Sequence, residues 1–164
     1  MIEVPPGGLF FEDVEPGVGF ETPGRAVTAA DIDAFAELTG DHHGIHMDDA
    51  AARAAGFPGR IAHGLFGLAL MEGIKAPLGL FERSAIASLG WDRVRFLRPI
   101  LVGDRVRLRV TFTAKRRTSR PGRGVVTEFV ELLNQRDEVV STGEHPLLVA
   151  CRDPGTTGGS GAAT

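Results

Sequence analysis

The segment from residue 64 to about residue 73 is apolar on almost every side of the helix that it predicts. Its apolar residues are Leu65, Phe66, Leu68, Ala69, Leu70 and Met71. A helix that is apolar all round must be covered on nearly all sides. The most apolar stretch, residues 61–70, is far too short to span a bilayer. The segment therefore predicts a buried helix at the centre of the fold, with a sheet wrapped around it.

The second half of the chain predicts an antiparallel sheet. Apolar residues alternate with polar or charged ones at Val106, Leu108, Val110 and Phe112, the pattern of a strand with one solvated face. Weaker strand signals occupy residues 84–97, 124–133 and 139–150, and turn residues link the last three strands. A short strand at 18–27 is interrupted by a Pro-Gly pair. Strands and helices in this order indicate an α+β domain with its helices on one face of the sheet.

Two further helices are expected before the central one. Thr28 is a good N-cap residue with Asp31 three positions later, and Gly40 is suited to end the helix that they begin. The next helix is expected to begin at Asp48 or Asp49 and to end before Gly56. The polar stretch between these two helices, residues 41–46, is predicted to be a loop.

Length, charge and cysteine content limit the number of domains and the kinds of partner that the chain can have. A chain of 164 residues fits one domain, which we place at residues 1–152, and the Gly-, Ser-, Thr- and Ala-rich tail at 153–164 is expected to be disordered. A formal charge of −3 gives no overall attraction to nucleic acid or to an anionic membrane. Cys151 is the one cysteine, so no internal disulfide can form, and it is expected to be buried. Without a signal-peptide pattern, the expected location is the cytoplasm.

Asp41 and His46 are the candidate acid–base pair of the predicted loop. A carboxylate and an imidazole can hold one water between them, and histidine carries protons near neutral pH. Addition of water to an unsaturated thioester also needs a donor for the enolate-like oxygen. The backbone N–H of Gly64, at the start of the central helix, suits that task. By spacing alone this is a weak signal, because Asp41 could equally serve a turn.

The same stretch resembles a known family. The residues that carry the resemblance are Phe35-Ala-Glu-Leu-Thr-Gly-Asp41-His-His-Gly-Ile-His46-Met-Asp48, then Phe57 and Arg60-Ile-Ala-His-Gly64. They resemble the MaoC-like family of (R)-specific enoyl-CoA hydratases and acyl dehydratases, and segments 94–99, 103–104 and 119–124 resemble its strand and turn motifs. The resemblance covers roughly residues 12–150. It implies a hot-dog fold, in which a sheet curls round a long central helix, and a homodimer with active sites near the subunit interface.

The resemblance also implies an activity. It places Asp41 and His46 at the catalytic positions and Gly64 at the glycine whose amide polarises the thioester carbonyl. The expected enzyme is a lyase that interconverts a 2-enoyl thioester, expected to be an enoyl-CoA, and a 3-hydroxyacyl thioester. Coenzyme A would enter only as part of the substrate, with no separate cofactor. The family's usual Asn-Pro is replaced here by His43 and Gly44, which puts the rigidity of the loop in question.

The remaining polar residues have plainer interpretations. His43 and His63 are expected to support the loop, and His145 to have no chemical role. No metal site is expected, because adjacent loop residues such as His42 and His43 rarely point at one ion. Some basic residues should meet coenzyme A if the resemblance holds, although each alone is expected to be a solvated side chain: Arg93, Arg95, Arg98, Lys115, Arg116, Arg117, Arg120 and Arg123.

Two other functions stay open from the sequence. A hot-dog acyl-CoA thioesterase would share the fold and the thioester but release a free thiol. A non-catalytic acyl-thioester-binding protein would bind the ligand without needing Asp41. The replacement of Asn-Pro by His43 and Gly44 is the best support for this second alternative.

Overall fold

One antiparallel sheet organises residues 4–153, the part of the chain that the computed structural model describes. Its strands are β1 (Gly19–Glu21), β2 (Arg25–Ala26), β3 (Ala85–Ser88), β4 (Asp92–Phe96), β5 (Arg105–Arg117), β6 (Arg123–Leu133) and β7 (Val139–Ala150). The helices are α1 (Ala29–Thr39), α2 (Gly44–Met47), α3 (Asp49–Ala54) and α4 (Gly64–Gly73). The strand order is β1-β5-β6-β7-β3, with β2 also paired to β5 and β4 to β7.

The long strands β5, β6 and β7 form the middle of the sheet. Val110 of β5 lies opposite Val130 of β6, which lies opposite Gly143 of β7. The alternation predicted for β5 is confirmed, because Val106, Leu108, Val110 and Phe112 are all fully buried. Residues one position apart point to opposite faces of a sheet, so this series lines the inner face.

The helix signals before α4 are also confirmed. The Thr28 side chain accepts from the Asp31 N–H, Asp31 accepts from the Thr28 N–H, and Gly40 ends α1 with a φ of 76°. The Asp48 side chain accepts from the Ala51 N–H at 2.7 Å and begins α3. These capping hydrogen bonds join residues only three positions apart, so they can form without contacts from the rest of the fold.

The helix α4 packs against the inner face of the sheet. Phe66, Gly67, Leu70 and Met71 are its buried residues, and a Cβ on Gly67 would lie 3.1 Å from Ile100 Cδ1. A curled antiparallel sheet on a central helix is the hot-dog arrangement, so the fold expectation is confirmed. No helix of the described residues has the length and apolar character needed to cross a membrane.

The expectation that α4 is covered on nearly all sides is wrong for the single chain. Leu65 is 64% exposed, and Ala69, one turn later, is exposed as well. The sheet covers one side of the helix, and residues four apart share the opposite side. An apolar line on α4 therefore faces away from the sheet.

The loop expected at residues 41–46 is only partly a loop. Its second half forms the one-turn helix α2, which begins at Gly44. His43 occupies the N-cap position, where its Nδ1 accepts weakly from the Ile45 N–H at 3.4 Å. Gly44 is the first residue of the helix, a position that also favours proline.

Two expectations concern the C-terminal part of the chain. Cys151 is buried as expected, and burial raises the pKa of its thiol. The disordered tail expected at 153–164 lies, apart from Asp153, outside the described residues.

Candidate active site

Three side chains from two separate parts of the chain converge beside the start of α4. Asp41 precedes α2, His46 lies within α2, and His63 is the residue before α4. One ligand-type atom from each side chain, a carboxylate oxygen or a ring nitrogen, lies within 4.8 Å of the other two. The structure thus brings together the two residues proposed as the acid–base pair and adds His63, which the sequence suggested only as loop support.

The ring of His46 is held in one tautomer. Its Nδ1 lies 2.8 Å from the carbonyl oxygen of Ile61, and a carbonyl can only accept, so Nδ1 carries the proton. The other nitrogen, Nε2, is left with a free lone pair. Burial lowers the pKa of His46, and the hydrogen bond to Ile61 offsets this only in part. His46 is therefore neutral near pH 7 and able to accept a proton.

The ring of His63 links α4 to the residue that supplies the carboxylate. Its Nε2 donates to the backbone carbonyl of Asp41 at 2.8 Å. Its Nδ1 is buried and has no hydrogen-bond partner within residues 4–153. The rings of His46 and His63 are in contact, with their centroids 3.9 Å apart and their planes tilted by 31°. His63 thus fixes the backbone of Asp41 and keeps a second imidazole nitrogen with a free lone pair.

The carboxylate of Asp41 is exposed at the edge of this group. Its Oδ1 accepts from the His43 N–H at 3.3 Å, which ties the side chain to its own turn. The group therefore consists of acceptors: a carboxylate and two imidazole lone pairs. A water molecule has two donor hydrogens, so it can bridge Asp41 and His46.

Arg60 holds the backbone of α2 in place through a side-chain hydrogen bond. Its Nε donates to the His46 carbonyl at 2.6 Å, and its guanidinium pairs with Asp33 of α1. The sequence placed Arg60 in the resembling motif but assigned it no role. Its partners are 14 and 27 residues away in the chain, so no local pattern could have shown them.

A cavity of about 330 Å³ adjoins the group, and we call it the N-terminal cavity because it lies at the first turn of α4. Its lining includes His46, His63, Gly64, Phe96, Arg98 and Ser141. The first N–H groups of a helix have no partner inside it, and His63 makes no side-chain cap to α4. These N–H groups, with that of Gly64 at the front, supply hydrogen-bond donors at one side of the cavity.

Gly64 has a steric role in the structure beside its expected role as a donor. A Cβ at this position would lie 2.7 Å from the ring of Phe96, whose side chain lines the same cavity. Real Cβ atoms do not approach other atoms this closely, so the glycine allows Phe96 to pack over the helix start.

A set of one carboxylate and two imidazoles could also hold a cation such as zinc. The set weighed from the sequence was His42, His43 and His46 with Asp41 and Asp48 nearby. The structure instead groups Asp41 and His46 with His63. The expectation that the site works without a metal stays a prediction.

A second group of charged side chains lies at the opposite end of α4, and the sequence analysis missed it. Its members are Glu72, Lys75, Glu128 and His145. His145 had been expected to lack any chemical role, yet it is fully buried and contacts two carboxylates. One signal was available: Glu128 stands between Val126 and Val130 in the buried series of β6.

The structure is a hot-dog domain with an aspartate and a histidine close together beside the start of its central helix. These features define the class of protein with which the chain is compared. Residues 13–132 match the family model described as a MaoC like domain. This match covers most of the chain, so the protein belongs to the MaoC-like family, as its sequence resemblance indicated.

Several similar proteins have names that fit this family. Protein MaoC of Klebsiella aerogenes is 39% identical over 109 residues, which are 66% of this chain and 31% of that protein. The 3-hydroxybutyryl-CoA dehydratase of Methylorubrum extorquens is 35% identical over 102 residues, 62% of each chain. The chain thus spans less than two thirds of the length of either curated relative. The crystal structure of a MaoC-like dehydratase from Rhodospirillum rubrum has a TM-score of 0.80 at 32% identity, covering 88% of this chain and 99% of that one.

Proposed function

We propose that the protein is a lyase that interconverts a 2-enoyl-CoA and the corresponding 3-hydroxyacyl-CoA. The observation that carries the proposal is the placement of the Asp41 carboxylate within 4.8 Å of a ring nitrogen of His46, whose Nδ1 is held by the Ile61 carbonyl. This geometry suits a water held by two acceptors. The relatives named as CoA dehydratases support the same reaction type.

In the proposed hydration, the thioester carbonyl accepts a hydrogen bond from the Gly64 N–H at the start of α4. A water bridges Asp41 and His46 and gives one proton to the pair as its oxygen bonds to C3. The pair then delivers a proton to C2, so the product has gained one molecule of water. Dehydration is the reverse. The helix dipole and the free N–H groups at the start of α4 stabilise the enolate-like oxygen that forms between these steps.

The replacement of Asn-Pro by His43 and Gly44 is compatible with this mechanism. The imidazole of His43 accepts from the Ile45 N–H at the N-cap of α2, a task that an asparagine oxygen also performs. Gly44 has an ordinary helical conformation and lies close to Ala51. The helical turn that carries His46 thus forms without the proline.

The test is hydration of crotonyl-CoA, followed by loss of the enoyl-thioester absorbance, with a thiol reagent in a parallel sample. We expect loss of the enoyl signal without thiol release, and we expect Asp41→Asn and His46→Gln each to abolish it. His42→Gln is the matched control, since His42 is an exposed neighbour whose imidazole lies 3.9 Å from Glu37. Full turnover by both site variants would refute the mechanism.

The same assay separates the alternative functions. Release of free thiol would identify a thioesterase. Binding of crotonyl-CoA without turnover, unaffected by Asp41→Asn, would identify a binding protein. Because Asp41, His46 and Gly64 supply every group that the proposed reaction needs, we also expect turnover to persist in the presence of a metal chelator.

Coenzyme A would approach the site from the side of Arg98. Of the basic residues considered from the sequence, Arg98 lines the N-terminal cavity. Its guanidinium also donates to the Val139 carbonyl and lies 3.8 Å from Glu138. Arg93 and Arg117 lie outside this lining and pair with Glu144 and Glu12. A guanidinium at the cavity mouth suits a phosphate, so Arg98→Gln should raise the KM for crotonyl-CoA.

We propose that the working form is a homodimer. Three large apolar side chains are more than half exposed around the N-terminal cavity: Leu65, Phe96 and Leu97. The strand β4, which carries Phe96, pairs with β7 on one side only among the described strands. Exposed apolar side chains beside a free strand edge favour association with another chain. Light scattering coupled to size exclusion tests the assembly, and a monomeric mass would contradict it.

A further inference from the structure

The charged group at the C-terminal end of α4, here called the ionic cluster, consists of Glu72, Lys75, Glu128 and His145. The Nζ of Lys75 hydrogen-bonds to Glu128 Oε2 and lies 3.2 Å from His145 Nδ1. His145 Nδ1 lies 3.0 Å from Glu72 Oε1 and 3.4 Å from Glu128 Oε2. Glu128 and His145 are fully buried and Lys75 is 7% exposed. Charges are rarely removed from water in this way without a compensating gain.

The formal charges of the cluster balance. Burial alone would lower the pKa of His145, but its hydrogen bonds to Glu128 and Glu72 outweigh burial and raise it. When His145 is protonated, two cations face two carboxylates. The second ring nitrogen of His145 lies 2.8 Å from Ser88 Oγ, and an imidazolium donates to that hydroxyl rather than activating it. The cluster is therefore not a base for a serine nucleophile.

A cavity of about 400 Å³, here called the C-terminal cavity, opens beside the cluster. Its lining includes Glu72, Lys75, Leu80, Glu128 and Leu147. The Oε1 atom of Glu128 is buried and has no hydrogen-bond partner within residues 4–153. A buried carboxylate oxygen without a donor is costly. A ligand group that donates a hydrogen bond would remove that cost, whereas a methyl group would leave it in place.

The two cavities lie along the same helix and the same strand. Gly64 lines the N-terminal cavity and Glu72 the C-terminal one, and a helical rise of 1.5 Å per residue separates these positions by about 12 Å. On β7, Ser141 lines the first cavity and Leu147 the second. They are an even number of residues apart and so point to the same face. An acyl chain laid along α4 from Gly64 over about 12 Å would bring its far end to the ionic cluster.

We propose that the ionic cluster sets the substrate class of the thioester site, by accepting an acyl chain whose far end donates a hydrogen bond and disfavouring a plain alkyl chain of the same length. This inference rests on the proposed function. A terminal hydroxyl or amide N–H would bond to Glu128 Oε1. A terminal carboxylate brings no donor to Glu128 Oε1, and an alkyl end likewise leaves this oxygen buried without a donor.

The test uses two enoyl thioesters of equal length, oct-2-enoyl-CoA and 8-hydroxyoct-2-enoyl-CoA, with crotonyl-CoA as the short reference. The measured quantity is the ratio of kcat/KM for the hydroxylated and the plain substrate, in which any general loss of activity cancels. We expect the wild-type ratio to favour the hydroxylated substrate by roughly 10- to 100-fold, the range for a hydrogen bond to a charged group.

A double variant tests the cluster itself. In Lys75→Met/Glu128→Leu the ion pair is replaced by apolar side chains, a change that folded proteins often tolerate. We expect the ratio to fall to one or below. The matched control is Glu144→Gln, a carboxylate on the neighbouring strand β7 that pairs with Arg93, and its ratio should equal that of the wild type. The wild-type ratio needs no variant, so poor folding of the double variant leaves the inference testable.

The outcomes separate the inference from the proposed function. Turnover of crotonyl-CoA and of both longer substrates, without a preference for the hydroxyl, would overturn the inference alone. A preference that survives in the double variant would also overturn it, because another group would then be responsible. No turnover of any of the three thioesters would overturn the proposed function together with the inference.

Discussion

The two ends of α4 carry polar groups of opposite character. At the N-terminal end, Asp41, His46 and His63 all present acceptor atoms, and the pKa of His46 is lowered by burial. At the C-terminal end, the ionic cluster pairs its donors with its acceptors, and the pKa of His145 is raised by its two carboxylates. The first group has unused hydrogen-bonding capacity, whereas the second has used almost all of it.

This difference fits the two proposed roles, which are catalysis at the N-terminal end of α4 and substrate selection at the C-terminal end. A group that must bind water and move protons needs free lone pairs and a neutral imidazole. A group that is buried and already paired resists change, because the removal of one partner leaves an isolated charge. We therefore expect substitutions at the first site to affect rate more than stability, and substitutions at the second to do the reverse.

The largest expected effect is on catalysis at the N-terminal end. Asp41→Asn should lower kcat for crotonyl-CoA by about 10²- to 10⁴-fold, because it removes one of the two acceptors that hold the water. Its unfolding free energy should change little, since Asp41 is exposed. Steady-state kinetics and urea unfolding measure the two quantities. A stability loss as large as the catalytic loss would remove the contrast between the two ends.

The second effect is on stability at the C-terminal end. Lys75→Met should destabilise the fold by about 3–5 kcal/mol, because it removes the cation that lies nearest to the buried carboxylate of Glu128. The double variant Lys75→Met/Glu128→Leu should recover most of this loss. Urea unfolding of the wild type, the single variant and the double variant gives the comparison. Equal losses in the single and double variants would show that the two charges are not coupled.

The third effect is a pH dependence that differs between His46 and His145, because the pKa of the first is lowered and the pKa of the second is raised. Because the pKa of His46 lies below its usual 6.5, kcat/KM should stay high as the pH falls to 6.5 and decline only below it. For His145 the folded state holds its proton more tightly than the unfolded state does, so its contribution to stability is complete below pH 6.5 and is lost as the pH rises through the raised pKa.

Unfolding free energies of the wild type and of His145→Gln, measured at about pH 6 and about pH 8, isolate the second contribution. The difference between the two proteins should shrink at the higher pH. A difference that grows with pH would mean that His145 is neutral in the fold. His46 acts in the opposite direction, since its lowered pKa costs stability as the pH falls below 6.5.

The smallest expected effect concerns the turn that carries His46. Gly44→Pro should stabilise the fold by about 0.4–1 kcal/mol, because proline restricts the unfolded chain at a position that is already helical. His43 has the extended conformation that a residue before proline requires, with φ −60° and ψ 137°. The Cβ would lie 3.2 Å from Ala51 Cβ, so this neighbour must shift slightly. Gly44→Ala is the control that adds the same Cβ without the ring, and thermal unfolding of both variants would show which effect dominates.

Much of the fold could be predicted because its signals are local. The alternation in β5, the Thr28–Asp31 capping box and the glycine end of α1 all arise within a few residues. The Asp41–His46 pair was also found, since both residues lie in one short stretch of a family motif. The one-turn helix α2 was missed because four residues leave no periodic pattern.

The sequence by itself determined the long strands and the boundaries of α1, α3 and α4, because short-range hydrogen bonds and hydrophobic periodicity encode them. It also supplied the proposed acid–base pair, through a short motif. Only the tertiary structure decided which other polar groups join them. His63 reaches Asp41 across 22 residues, and Lys75 reaches Glu128 across 53 and His145 across 70. Such contacts depend on how α4 packs against the sheet, and that packing is the sum of many buried side chains rather than a property of any one segment.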